Sequence, residues 1–313
     1  MISPASWTPW YQPFVTPVAP SPPDAAMPSP QAAPATADLD VPDATGKPAK
    51  TTTASIGVSP VVLAFLLRMQ EFNLKVLSGT DGNDVMRAEG GALVDAGDGN
   101  DRIDVWSDSV VDAGAGDDVV KAWSGAGVVG GSGNDRIDAW SDSIVDAGSG
   151  DDFVRAWSNA RVSGGSGHDQ IAAWSDSQVD GGSGDDMISA WSNSIVAGGA
   201  GNDVISAWSN SRVAGGAGDD AISVWSDSVV SFAAGDGRDT INASMNTTLE
   251  LGAGISRAKT HVAISGSTAT ITFDGSEDQI TLNLDPRSPA MLAFADGSIM
   301  EVKSEPIRLM RLA

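Results

Sequence analysis

The sequence predicts an all-β parallel solenoid of about ten 17-residue turns, and three observations predict it. Tryptophan recurs at Trp106, Trp123, Trp140, Trp157, Trp174, Trp191, Trp208 and Trp225, always 17 residues apart. A short fixed period is the mark of a repeat stacked on itself. Each copy joins a glycine-rich loop, GGxGxD, to an alternating segment, x-(Ile/Val)-x-Ala-Trp-Ser-(Asp/Asn)-Ser-x-Val-x. Alternation with period two suits strands that bury one face.

The segments follow in order. Residues 1–55 hold 12 of the 16 prolines, with Ala, Ser and Thr between them, and read as a disordered or extended tail. Trp7, Trp10 and Tyr11 lie in this tail. Residues 56–77 contain SPVVLAFLLRMQEF, with Ser59 as a helix N-cap and Pro60 at the first helical position. Repeat arrays need atypical ends, so this helix is expected to cap the first turn. Residues 78–242 form the repeat, with nine loops in frame from GTDGND (79–84) to GGAGDD (215–220). A tenth loop, AGDGRD (234–239), follows a two-residue slip. Residues 243–313 leave the repeat. THVAISG, TATITF, DQITLNL and AMLAF alternate apolar and polar residues between Gly, Asp and Ser turns, which predicts a small antiparallel β cap.

Composition excludes several function classes. The net charge is −23, from 41 acidic and 18 basic residues, which argues against nucleic acid and anionic membranes as partners. With no cysteine, disulfides and Cys-ligated metals are ruled out. The two histidines, His168 and His261, are too few for a transition-metal cluster. The longest apolar run, Val61–Leu67, is far shorter than the roughly 20 residues of a spanning helix, so no transmembrane segment is expected. The N-terminus lacks the charged and apolar regions of a Sec-type signal.

The loop column carries the chemistry. Glycines allow positive φ and turn carbonyls toward one point, and the closing aspartate adds a carboxylate. Calcium takes six to eight oxygens of both kinds. One loop offers too few, but loops stacked about 4.8 Å apart form pairs able to enclose an ion. The carboxylates expected to serve are Asp84, Asp101, Asp118, Asp135, Asp152, Asp169, Asp186, Asp203 and Asp220, with Asp239 after the slip. The carbonyl ligands are expected around the paired glycines Gly97 and Gly99, Gly114 and Gly116, Gly131 and Gly133, Gly148 and Gly150, Gly165 and Gly167, Gly182 and Gly184, Gly199 and Gly201, and Gly216 and Gly218. Stacked without a counter-charge, those carboxylates would repel. Nine in-frame loops make eight gaps, so about eight calcium ions are expected, and their sixteen positive charges would offset most of the net −23.

GGSGNDRID (130–138), GGSGDDMIS (181–189) and GGAGNDVIS (198–206) resemble the nonapeptide of the repeats-in-toxin (RTX, haemolysin-type) family. The tail is similar to the β domain that often follows such repeats, notably GDGRDTI (235–241), LELGAGIS (249–256) and MLAFADGSIMEV (291–302). The resemblance implies a right-handed parallel β-roll that folds on calcium. It also implies export by type I secretion machinery, which reads an uncleaved C-terminal signal, and an extracellular location. This chain departs from the family pattern in one respect. Only one half of each 17-residue turn carries GGxGxD, so calcium is expected on one edge of the roll alone.

The other edge carries Trp-Ser-(Asp/Asn)-Ser. By alternation, Ile137, Ala139 and Val145 and their equivalents face inward, and Trp140 lies where the strand meets the metal-free turn. The tryptophan column either seals that edge or stands exposed as a ladder for extracellular polysaccharide or a cell surface. In the column Asp108, Gly125, Asp142, Asn159, Asp176, Asn193, Asn210, Asp227, no two aspartates adjoin. That order suits a hydrogen-bonded Asn/Asp ladder, and it points to a two-turn unit of 34 residues. Asp104, Lys121, Asp138 and Arg155 alternate in sign as cross-rung ion pairs would. His168, at the fifth loop position, is read as a solvent-facing variant and not a ligand.

No HExxH, GxSxG, Walker loop or catalytic cysteine is present. The carboxylates are committed to loops and ladders, leaving no obvious acid pair for glycoside chemistry. The expected function is a secreted calcium-binding β-roll with a structural, surface or matrix role and no enzymatic activity. The alternatives are an adhesion module working through its tryptophans, or an accessory part of an RTX exoenzyme or toxin.

Overall fold

The computed structural model describes residues 75–304; the proline-rich tail and the expected capping helix lie outside the described residues. The repeat folds as the period demands. From Arg102 to Val224 each turn supplies one four-residue strand, such as Arg136–Ala139, and one six-residue strand, such as Ile144–Ser149. These stack into two 13-stranded sheets, one from each strand type. Pairing is parallel and in register at 17 residues, with Ile137 beside Val154 in one sheet and Val145 beside Val162 in the other. After Asp220 the register lengthens to 19, with Ile222 beside Ile241 and Val230 beside Leu249. This is the two-residue slip seen in the sequence.

The core is thin and built from columns. Ile103, Ile137, Ile171, Ile188, Ile205 and Ile222 are buried, as are Val94 through Val230 and the Ala139 column. A fourth inward column, Ala96, Ala113, Gly130 and Ala147 and then glycine from Gly164 to Gly215, is buried at the start of the glycine loop. At Gly130 a Cβ would meet the Ala147 carbonyl and Asp135 Oδ2, whereas after Gly215, in the last turn, the buried Phe232 takes this position.

The C-terminal strands pair with one another without forming a separate layer. Strands Thr260–Ser265, Thr268–Phe273 and Gln279–Leu284 form antiparallel pairs, as do Ala290–Phe294 and Ile299–Val302. Yet Gln279–Leu284 and Ala290–Phe294 each join the roll in parallel, beside Arg238–Ala243 and Thr248–Leu251. The repeat ends in sequence at residue 242, while its two sheets run on and are closed by antiparallel strands. Leu249, Ile271, Ile280 and Leu292 keep the core continuous there. Among the described residues, no helix is long and apolar enough to cross a membrane.

Candidate metal centre

The glycine loops connect the longer strand of each turn to the short strand of the next, so they share one edge. In GGSGND (130–135), Gly131 and Gly133 have φ of 110° and 121°. An L side chain strains there, and a Cβ would also collide with the carbonyls of Gly114 and Gly116 in the rung before. The sequence therefore needs glycine twice per loop. The same two left-handed glycines recur in every loop from Gly97 and Gly99 to Gly216 and Gly218, and again at Gly235 and Gly237.

Each loop is tied to its neighbours by two side-chain ladders that run in opposite directions. At the sixth position, Asp118 N–H donates to Asp135 Oδ1 in the next rung at 2.8 Å, and Asp135 N–H to Asp152 Oδ1 at 2.7 Å. At the fifth position, Asn134 N–H donates back to Asp117 Oδ1 at 2.8 Å, and Asp151 N–H to Asn134 Oδ1 at 2.7 Å. His168 is exposed, as expected, but it is also a link in this ladder. Its Nδ1 accepts the Asp185 N–H at 2.9 Å, while its own N–H donates to Asp151 Oδ1. Sequence reading saw a tolerated variant; the residue in fact replaces an Asx acceptor.

Every Asp from Asp101 to Asp239 thus spends Oδ1 on a backbone amide. The other oxygen is left over. Oδ2 of Asp101, Asp118, Asp135, Asp152, Asp169, Asp186, Asp203 and Asp220 is buried without a hydrogen-bond partner. These side chains are 1–2% exposed. Burial pushes Asp135, Asp152 and Asp203 from 3.8 up to about 7, and Asp118 and Asp169 to about 6. The bonded amide opposes the shift and the neighbouring aspartates add to it. Asp239 rises to about 7 for the same reasons, and Asp101, Asp186 and Asp220 also rise. Such carboxylates need a proton or a cation.

The surroundings suit a cation. A Cβ on Gly130 would collide with both Asp135 Oδ2 and the Ala147 carbonyl, and one on Gly181 with Asp186 Oδ2 and the Gly198 carbonyl. Carboxylate and carbonyl oxygens therefore converge across the gap between rungs with no donor to satisfy the Oδ2. That all-oxygen set of mixed type is the one calcium selects. Among the described residues, no three His, Cys, Asp or Glu side chains form a metal cluster. Backbone carbonyls would have to complete each site.

A protein-family model agrees. Four segments, residues 76–92, 107–129, 128–154 and 190–222, match the RTX calcium-binding nonapeptide repeat, HemolysinCabind. These are RTX-type calcium-binding repeats. The solved structures similar to the chain include a hyperactive, Ca2+-dependent, beta-helical antifreeze protein from an Antarctic bacterium. Identity there is 20%, over 75% of this chain and 72% of that one, with a TM-score of 0.45. Extracellular lipase LipA from Serratia marcescens is similar at 18% identity over 67% of this chain, with a TM-score of 0.27; this chain spans 38% of the lipase. The search of curated proteins found no match.

In the RTX-type roll, Asp Oδ2 and the first carbonyl of the next loop are the groups that would hold calcium. The ion would supply the positive charge that the buried column lacks. The ladders fix each carboxylate in position, since Oδ1 is held by a backbone amide and only Oδ2 is left to bind.

The opposite edge is a different structure. Trp106 through Trp225 stack face to face, with ring centroids 4.6–6.3 Å apart and interplanar angles of 5–18°. Trp106 at the end is exposed and the other seven are half-buried. The column therefore neither seals the edge completely nor stands free of it. In the following turn, Asp108, Asp142, Asn159, Asp176, Asn193, Asn210 and Asp227 take φ of 58–62°, and Gly125 takes 76°. Asn, Asp and Gly are the residues that tolerate this left-handed position. The expected Asn/Asp ladder is also present, with Asn193 Nδ2 donating to Asp176 Oδ1 at 3.2 Å and Asn159 Nδ2 donating to Asp142 Oδ1. These two pairs lie two turns apart, and the next, Asn246 Nδ2 donating to Asp227 Oδ1 at 2.9 Å, follows three turns on. Arg155 pairs with Asp138 at 3.8 Å across one rung, as the alternating charges implied.

Sequence reading missed the serines. Ser143, Ser177, Ser194, Ser211 and Ser228 are buried. Ser211 Oγ donates to the Trp191 carbonyl at 3.3 Å and accepts the Ser194 N–H at 3.4 Å. The recurring second serine of Trp-Ser-(Asp/Asn)-Ser was the available signal. At Ser177, Ser194, Ser211 and Ser228 its hydroxyl bonds backbone groups where the turn leaves the ladder.

Proposed function

We propose that this chain is an extracellular protein whose roll folds on calcium outside the cell and serves as a stiff structural or surface-associated element. The observation that carries the reading is the row of eight buried Oδ2 atoms without donors. At low calcium and neutral pH the column would bury unneutralised charge, which disfavours the roll and leaves a chain loose enough for type I secretion machinery. Calcium outside the cell removes that obstacle. The core supports the same dependence, because the apolar side chains that most rungs bury are only Ile, Val and Ala, and metal binding then supplies folding free energy. About eight ions on one edge would match the acidity. A non-enzymatic role accords with carboxylates committed to backbone amides.

A calcium titration of the full chain, followed by far-UV circular dichroism and tryptophan fluorescence, tests the reading. The expected result is a cooperative gain of β signal, reversed by chelator. A protein fully folded in chelator that binds no calcium overturns it.

The adhesion reading draws on the half-exposed tryptophan column beside a row of Asn and Asp. Against it, the ring faces that stack on sugars are already stacked on each other. Within the column only edges remain for a ligand, and Trp106 at its end stacks on Trp123 alone. Retention on chitin or alginate beads, compared with Trp140→Ala and Trp157→Ala, separates the two. Loss of binding with an intact roll favours adhesion.

A further inference from the structure

The first glycine loop looks like the others in sequence but is folded differently. GTDGND (79–84) has the spacing and the closing aspartate of a calcium half-site. Nonetheless, neither Thr80 nor Gly82 has positive φ, whereas the corresponding residues of all nine later loops do. Asp84 Oδ2 also lies near the first carbonyl of the next rung, that of Ala96, as its equivalents do. It is nevertheless already satisfied. Thr80 N–H donates to it at 2.7 Å and Thr80 Oγ1 at 2.9 Å. Asp84 N–H still donates to Asp101 Oδ1 at 2.7 Å, so the ladder itself is unbroken.

We propose that the first loop is a metal-independent end to the roll, in which the Thr80 amide and hydroxyl take the place of an ion, and that the calcium column begins at Asp101. Resting on the calcium reading above, the proposal moves the ions by one rung. The nine loops with paired left-handed glycines run from Gly97 to Gly237. They enclose eight gaps, and the eight unpartnered oxygens belong to Asp101 through Asp220, the first carboxylate of each gap. Backbone geometry and side-chain bonding thus delimit the same set. The reason is chemical. A carboxylate oxygen accepting two hydrogen bonds has its charge compensated, so a cation gains less there. Threonine also disfavours the left-handed backbone that glycine adopts at this position.

Counting bound calcium on the purified full chain by equilibrium dialysis and elemental analysis tests the assignment, with far-UV circular dichroism confirming the fold. Asp84→Asn is expected to bind as many ions as the parent, while Asp135→Asn binds fewer. Thr80→Gly, which restores two adjacent glycines, is expected to gain one ion. An ion count lowered by Asp84→Asn as much as by Asp135→Asn overturns the proposal, and so does a folded Thr80→Gly with no added ion. If Thr80→Gly does not fold, the Asp84→Asn count decides alone. Absence of calcium from the parent and every variant overturns the calcium reading itself, a different result from either of these.

Discussion

Asp135 uses its two carboxylate oxygens for different purposes, since Oδ1 accepts the backbone N–H of Asp118 one rung below while Oδ2 is buried with no donor. Asparagine and alanine at this position separate the two roles. Asp135→Asn keeps an acceptor for Asp118 N–H and removes the charge, so the roll in chelator at pH 7 is expected to melt at a higher temperature than the parent. Its response to added calcium is expected to shrink. Asp135→Ala also removes the charge but leaves a buried N–H unpaired, at a cost of about 1–3 kcal/mol. It is expected to melt below Asp135→Asn under both conditions. Equal melting of the two variants would show that the Oδ1 bond contributes nothing.

The same column sets a pH dependence. In the roll, burial lifts Asp135, Asp152 and Asp203 to about 7, against 3.8 for an ordinary carboxylate. The folded state therefore holds more protons than the unfolded state between these values, and stability without calcium falls as pH rises. The stabilisation is complete below 3.8, falls through the range between 3.8 and 7 at up to about 1.4 kcal/mol per pH unit for each such group, and is gone above about 7. With chelator present, β structure is expected at pH 4.5 and its loss by pH 8, as read by far-UV circular dichroism. Structure gained on raising the pH would contradict the assignment.

What could be read in the sequence was what the period controls. The tryptophan spacing placed Ile137, Ala139 and Val145 in inward columns, and the structure buries all three. The GGxGxD spacing placed glycines and aspartates on one edge. Where local geometry departs from the period, the pattern was silent. Thr80 and Gly82 sit in a loop of the right spelling with the wrong backbone, because φ depends on the neighbours as well as the residue. The strands Gln279–Leu284 and Ala290–Phe294 join the roll in parallel after irregular stretches that carry no repeat from which a register could be taken. The Asp142 column was attributed to the avoidance of facing charges alone. Its restriction to Asn, Asp and Gly was equally a sign of left-handed backbone.

That second cause is separable at Asn210, which has φ of 58° in the metal-free turn. Gly125 fills the same position one turn after Asp108 with φ of 76°. Asn210→Gly is therefore expected to leave the calcium-loaded melting temperature nearly unchanged. Asn210→Val places a β-branched residue in left-handed backbone, at a cost of about 1–2 kcal/mol. Equal effects of the two substitutions in thermal melts would remove the backbone explanation and leave only side-chain bonding.

The tryptophan ladder gives the assembled roll a signature of its own. Indoles stacked at 4.6–6.3 Å within 5–18° of parallel couple their transitions, and a loose chain does not hold them so. An exciton couplet in the indole bands of the circular dichroism spectrum is expected to appear with calcium and vanish with chelator. Position along the ladder then matters. Trp157 stacks on both Trp140 and Trp174, whereas Trp106 stacks only on Trp123. At about 0.5–1.5 kcal/mol per ring pair beyond burial, Trp157→Ala forfeits two pairs and Trp106→Ala one. The mid-ladder change is expected to lower the melting temperature about twice as far and to divide the couplet. Equal losses at both positions would mean that burial of each ring, and not its stacking, supports that edge.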